Sequence, residues 1–431
     1  MVYLQSVLGM VIFVTIAWLF STNRRAIDWR LVGIGIILQV LFGILMIKVP
    51  GVVYVFRELS AAYVVLLDFS RIGSEFIFGG LANPNAKHNL GLIIAFQVLP
   101  IIIFFATLTA GLYYLGILQR IVYLIAWIVA KTMRLSGPES LSAAGNIFLG
   151  QTEAPLLIKP YIANMTYSEI MAVMTGGMAT IAGSVMAAYI SFLGGDDPVL
   201  RTNIAAHLLQ ASLMNVPAGI VMAKIIVPQT EVDSIRKELK VSRESIGVNL
   251  IDALASGASD GLKLALNVGA MLLAFVALIA MINYGMEALG SWMGLNDWIR
   301  STTHGTFSSL SLQYVLGIVA QPLAWAMGIS WDQSLLVGSL LGQKAAINEF
   351  VAYADLGRLQ AEGLLTPHSI LISTYALCGF ANFSSIAIQI GGISGMAPNQ
   401  QANLSRLGLR ALLAASLACM MTGNLAGLIN G

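Results

Sequence analysis

Asn146-Ile147-Phe148-Leu149-Gly150-Gln151-Thr152-Glu153-Ala154-Pro155 is a polar, glycine-containing cluster in the middle of an apolar stretch, residues 138–162. A second stretch of the same kind, residues 331–356, carries Ala346-Ile347-Asn348-Glu349-Phe350. Both are apolar enough for a bilayer and too long for loops. Water-free lipid does not tolerate bare backbone, so such breaks persist only where they are buried in protein or line a cavity. Two re-entrant helical hairpins meet that condition. They also resemble each other: Ser136-Gly137-Pro138-Glu139-Ser140 leads to Leu149-Gly150-Gln151, and Ser330-Trp331-Asp332-Gln333-Ser334 leads to Leu341-Gly342-Gln343.

Outside the hairpins the order of elements repeats. A span at residues 90–118 and an amphipathic interfacial helix at 119–134 precede the first hairpin, and spans at 171–193 and 203–227 follow it. A span at 264–286 opens the second copy, and spans at 370–393 and 411–428 close it. Residues 3–20 and 31–46 add two more spans, the first too poor in basic residues at its start to be a cleaved signal, while the scattered charges of residues 50–89 suit interfacial helices. Eight spans with both termini outside put every basic loop in the cytoplasm: Arg24, Arg25 and Arg30; Arg236, Lys237, Lys240 and Arg243; Arg406 and Arg410. By those loops the two copies cross the membrane in opposite senses. The expected fold is an all-α polytopic membrane protein of eight transmembrane helices, two hairpins and interfacial helices, built as an inverted repeat, an arrangement typical of secondary transporters with a midplane site.

Composition agrees. Of 431 residues, 57% are hydrophobic and only 10% charged, against about 25% in soluble domains. A net charge of +2 gives no footprint for nucleic acid. Cys378 and Cys419 lie in apolar segments and read as small buried hydrophobes. His88, His207, His304 and His368 have no metal-ligand spacing, and no phosphate-binding glycine loop or nucleophile–base arrangement occurs, so no cofactor and no enzyme are expected.

A carboxylate at membrane depth costs several kcal/mol and is functional by default, which singles out Glu153 and Glu349. The alternative is a structural ion pair with Lys159 or Lys344; Lys344 itself reads as a snorkelling or structural lysine. The spans after the hairpins are interrupted in step, at residues 176–185 and at Gly379-Phe380-Ala381-Asn382-Phe383-Ser384-Ser385. Small-residue packing accounts for Gly176 and Gly177, but a buried amide such as Asn382 needs partners. Two carboxylates, amides, hydroxyls and the Phe380 ring suit a neutral solute with vicinal hydroxyls and a flat heteroaromatic face; no arginine is present for an anion. Unwound carbonyls with Asn146 and a hydroxyl suit Na+.

At these residues the sequence resembles the concentrative nucleoside transporter family. Gly150-Gln151-Thr152-Glu153-Ala154-Pro155-Leu156-Leu157-Ile158-Lys159-Pro160-Tyr161 and Asn348-Glu349-Phe350-Val351-Ala352-Tyr353 are similar to its two signatures. The resemblance implies a homotrimer with scaffold spans in residues 1–117, a first transport-domain repeat in 118–228, a cytoplasmic loop and scaffold span in 229–290, and a second transport-domain repeat in 291–431. It implies that Gln151 and Glu153 face the nucleobase, with Thr152 nearby and Val185 lining the pocket, and that Glu349, Asn382 and Ser385 hold the ribose with Phe380 against the ligand. The implied sodium ligands are Asn146, the Leu149 carbonyl, Thr180 and the Ile181 carbonyl. The expected function is sodium-driven nucleoside import through the bacterial cytoplasmic membrane by an elevator-like shift. Proton coupling is the alternative ion. From other classes, a channel or receptor and, more remotely, an intramembrane enzyme using Glu153 and Glu349 as an acid–base pair complete the set.

Overall fold

The computed structural model describes residues 2–83, 93–195, 197–231 and 247–430, and among these residues there is no strand. Arg236, Lys237, Lys240, Arg243 and His88 lie outside the described residues. The chain begins with α1 (Val2–Leu19), α2 (Trp29–Lys48) and α3 (Pro50–Phe78). Helix α3 is one uninterrupted element where scattered charges predict several interfacial pieces. Its Ser60, Val64, Leu67, Ser70 and Ser74 are buried at helical spacing, while Arg71 and Glu75 pair at 2.9 Å on the open side.

The first copy follows as α4 (Ile94–Gln97) and α5 (Leu99–Tyr114), α6 (Ile117–Met133), α7 (Gly137–Gly145), α8 (Lys159–Ile162), α9 (Tyr167–Ala179), α10 (Gly183–Gly194) and α11 (Pro198–Ile226). The second runs α12 (Leu250–Trp292), α13 (Leu295–Thr302), α14 (Leu312–Ala326), α15 (Trp331–Ala346), α16 (Glu349–Ala361), α17 (Pro367–Leu377), α18 (Phe383–Met396) and α19 (Gln401–Asn430). The copies correspond: span (α5; α12), amphipathic helix (α6; α14), hairpin (α7–α8; α15–α16), broken span (α9–α10; α17–α18) and span (α11; α19). Local chemistry marks the starts. Ser136 with Glu139, and Thr166 with Glu169, form capping boxes on α7 and α9, and Thr366 caps α17 through the Ser369 N–H.

Contacts give the relative senses directly. Gly257 and Gly261 of α12 lie against Ala110 and Ala106 of α5, and Gly269 lies against Leu99, so these helices run antiparallel. The missing side chains permit the close approach, because a Cβ at Gly261 would stand 2.8 Å from the Ile103 Cα. Helix α2 passes α11 in the opposite sense (Met46 carbonyl to Gln210; Gly35 to Val221) and α19 in the same sense (Gln39 to Thr422; Gly43 to Ile429). Helices α11 and α19 are therefore antiparallel too, and the repeat is inverted in the structure.

The two broken spans cross at their breaks. Phe380 N–H donates to the Thr180 carbonyl at 3.2 Å. Asn215 Nδ2 of α11 donates to the carbonyls of Ala179 (2.7 Å) and Cys378 (2.8 Å), and Cys419 Sγ of α19 approaches the same two oxygens at 3.5 and 3.4 Å. Each break thus finds partners for carbonyls that its helix leaves unsatisfied. Around this crossing lies the core, with Tyr189, Tyr353 and Tyr375 fully buried.

Six helical segments among the described residues are long and apolar enough to cross a bilayer unaided: α2, α4–α5, α9–α10, α11, α12 and α19. Leu4–Leu19 of α1 and helix α18 are shorter apolar helices that fall at two further places of the expected pattern. Helix α14 meets α15 at a bend of 117°, as an interfacial helix entering a re-entrant arm does. Two expectations change. Helix α12 is 43 residues long and continues well past both ends of the expected span. The repeated Leu-Gly-Gln is not equivalent in place: residues 149–151 lie in an irregular tip because α7 ends after nine residues, whereas 341–343 lie inside the 16-residue α15.

Candidate substrate-binding site

Three half-helices begin at one point: α10 at Gly183, α16 at Glu349 and α18 at Phe383. The first hairpin's tip closes a fourth side, where the Gly183 N–H donates to the Phe148 carbonyl at 3.1 Å. Helix α12 forms the remaining wall of a cavity of about 460 Å³, inside the range of about 300–1,000 Å³ usual for small-molecule sites. Gln151, Thr152, Glu153, Val185, Glu349, Phe380, Asn382 and Ser385 all line it, so every residue expected to touch substrate reaches one space.

Their geometry is interlocked. Glu349 is the first residue of α16, at the positive end of that helix. Its Oε1 accepts from Tyr189 OH at 3.0 Å and its Oε2 from Asn382 Nδ2 at 2.8 Å. Asn382 caps α18: its Oδ1 accepts from Ser385 N–H (2.9 Å) and Ser384 Oγ (2.6 Å). Gln151 Nε2 donates to Ser385 Oγ at 3.0 Å, and Gln151 Oε1 accepts from Gln389 Nε2 at 3.1 Å. Glu153 Oε2 accepts the Gly150 N–H at 3.0 Å and closes the tip. A carboxylate oxygen takes more than one hydrogen bond, so Glu349 and Glu153 keep acceptor capacity toward a ligand.

Gly177 lies under this network inside an intact helix. A Cβ there would stand 2.6 Å from Gln389 Nε2 and 3.1 Å from Gln151 Cβ. Close packing explains this glycine, as expected, but the packing is against the site itself.

Of the expected cation ligands, Asn146 and Thr180 both meet Gly176. Asn146, the C-cap of α7, is 1% exposed, and neither its Oδ1 nor its Nδ2 has a hydrogen-bond partner. It lies against Gly176, whose carbonyl accepts from Thr180 Oγ1 at 2.9 Å. Leu149 is buried in the tip and Ile181 in the break.

Lys344 does not snorkel: it is buried, and Nζ donates to the Ala376 carbonyl at 3.0 Å. Among the described residues no carboxylate lies within 4 Å of it, so it does not pair with Glu153. Gln343 serves Ser339 and Asp355 instead of the cavity. Sequence reasoning misses Tyr189, Gln389 and Asn267. Tyr189, stacked on Tyr353 at 4.2 Å, looks like core; Gln389 and Asn267 carry the signal of lone amides in apolar runs.

A cavity with a few convergent polar groups at the crossing of two inverted repeats, walled by broken membrane helices, is the kind of place where a membrane transporter binds its solute. The chain belongs to the concentrative nucleoside transporter family: residues 207–427 match the family model described as the Na+ dependent nucleoside transporter C-terminus, residues 8–81 match that of its N-terminus, and residues 95–196 match a nucleoside recognition model. It is 43% identical to an uncharacterized transporter of Haemophilus influenzae, covering 99% of this chain and 98% of the other, and 41% identical to the nucleoside permease NupC of Helicobacter pylori with the same coverage. The solved structure of CNTnw in an inward-facing substrate-bound state superposes with a TM-score of 0.89 at 41% identity, covering 100% of this chain and 98% of that one. The family consists of transporters, not enzymes.

Proposed function

We propose that this protein is a secondary active symporter that imports nucleosides through a bacterial inner membrane, driven by a sodium gradient. The observation that carries the coupling is the unpartnered, buried carboxamide of Asn146 beside the substrate cavity. A buried amide without partners is costly, and a cation liganded by Oδ1, the Thr180 hydroxyl and the Leu149 and Ile181 carbonyls would relieve it. In the cavity, Glu349 with Asn382 and Ser385 accept and donate to ribose hydroxyls, Gln151 and Glu153 meet the base edge with Thr152 nearby, and Phe380 and Val185 pack on its flat faces. The Asn146 carboxamide offers a neutral oxygen ligand, which suits a metal cation.

Alternating access is assigned to an elevator-like movement of the body carrying both hairpins, in a homotrimer of eight-span protomers with external termini. Of the division at residues 118–228 and 291–431 against 1–117 and 229–290, α5 with α12 form the scaffold core. The contacts of α1 and α2 with α11 and α19 argue for assigning those two helices to the moving body. Uptake of radiolabelled uridine into proteoliposomes tests the proposal. Accumulation is expected with an inward Na+ gradient and not with choline, and Asn146→Ala should flatten the Na+ dependence. Accumulation driven only by a pH gradient would overturn the ion, and downhill flux without accumulation would favour a channel.

A further inference from the structure

We propose that Lys344 is a tethered cation, the fixed counterpart in the second repeat of the free cation bound in the first, and that it limits coupling to one cation per nucleoside. The proposal rests on the assignment of Asn146 as a cation ligand. Each repeat places one side chain from the end of its first hairpin arm against the last turn of the half-helix that follows. In the first repeat this is Asn146, the C-cap of α7, lying on Gly176 near the end of α9, with no hydrogen-bond partner. In the second it is Lys344, in the last turn of α15, donating to the carbonyl of Ala376 next to the end of α17.

The two half-helix ends share two partners, since Asn215 and Cys419 each reach both the Ala179 and the Cys378 carbonyl. A helix C-terminus carries unsatisfied carbonyls and a partial negative charge, so an end buried in a membrane protein favours a cation. Helix α17 receives one through a covalent tether, whereas α9 faces a neutral amide and must recruit one. Lys344 is no strut of an ordinary ion pair, for among the described residues no carboxylate lies within 4 Å.

The test is uridine affinity of the purified full-length protein by calorimetry, over a NaCl series at constant ionic strength with choline. Wild type, Lys344→Ala, Lys344→Gln and Asn146→Ala are compared, each checked for folding by thermal melting. Wild type should show a Na+ Hill coefficient near one. Lys344→Ala should lose about tenfold or more in affinity, recover when ammonium replaces choline, and show a Hill coefficient rising toward two as Na+ fills the vacated place. Lys344→Gln, which keeps a donor for the Ala376 carbonyl but no charge, should lose affinity likewise and decides the matter if the alanine variant does not fold. Wild-type affinity and a Hill coefficient of one in Lys344→Gln would overturn the proposal, as would a folded Lys344→Ala that ammonium does not rescue. Failure of the Asn146 assignment reads out separately, as an Asn146→Ala variant whose Na+ dependence matches wild type.

Discussion

Replacing Glu349 by glutamine separates its two roles. Inside the protein the carboxylate accepts from Tyr189 OH and Asn382 Nδ2. Glutamine preserves both contacts: Oε1 accepts from Asn382, and Nε2 donates to the tyrosine oxygen, whose hydroxyl rotates to receive it. What it removes is the carboxylate that the proposed site offers to ribose hydroxyls, and hydrogen bonds to a charged group contribute about 1.5–3 kcal/mol. Uridine affinity should therefore fall about 10- to 150-fold, with the melting temperature close to wild type. Glu349→Ala should behave differently. It leaves Asn382 and Tyr189 without their acceptor in a buried setting, at about 1–3 kcal/mol each, and should melt well below wild type. Calorimetry with uridine and with 2′,3′-dideoxyuridine completes the cycle, because the glutamine variant should lose most of the discrimination between them. Wild-type uridine affinity in Glu349→Gln, or an equal loss for both ligands, would refute the ribose assignment.

Gly177→Ala should displace Gln389 from Gln151, costing about one hydrogen bond, or roughly 5- to 10-fold in nucleoside affinity, with little change in melting because alanine favours the helix by about 0.5–1 kcal/mol; unchanged affinity by calorimetry would count against the role of Gln389. Lys224 pairs with Glu139 and donates to Ser168 Oγ in the buried join of α7, α9 and α11, so Lys224→Ala should destabilise by about 3–5 kcal/mol through the charge left on Glu139. Lys224→Met with Glu139→Gln should lose much less, because no lone charge remains and the glutamine still accepts from the Ser136 N–H. Equal losses in the two variants by thermal melting would show that the lone charge is not the cause.

The parts of the fold that depend on expense were legible in the sequence. Glu153, Glu349 and Asn382 stand where hydrocarbon penalises them, and each reached the cavity. Position along a helix was less legible. Asp252, Asp260, Lys263 and Glu287 interrupt the hydropathy of α12 without interrupting its backbone, since a helix leaving the bilayer carries charges freely. The Leu-Gly-Gln identity misleads for a related reason: three residues do not determine where an arm unwinds, and the order of elements does. Tyr189 was illegible in principle, because one hydroxyl among many buried aromatics shows its purpose only when its acceptor is known. Gln389, between Ile388 and Ile390, is different; a buried amide must have partners, and its spacing from Ser385 places it one helical turn along the same face.

The walls of the cavity have two unlike surfaces. The polar groups hang mainly from the hairpins and broken helices, whereas α12 presents Leu264, Val268 and Met271, with Asn267 as its amide among the lining residues. Contacts between aliphatic surfaces have no preferred direction and re-form after a shift, while a hydrogen bond fails within a fraction of an ångström. In the proposed elevator-like movement a filled pocket would slide past α12 as a carriage on a greased rail, keeping every directional bond to its passenger. At 43 residues, about 64 Å, α12 is twice the thickness of the hydrocarbon it crosses, so in such a movement it would stay beneath the carriage at either end of the journey.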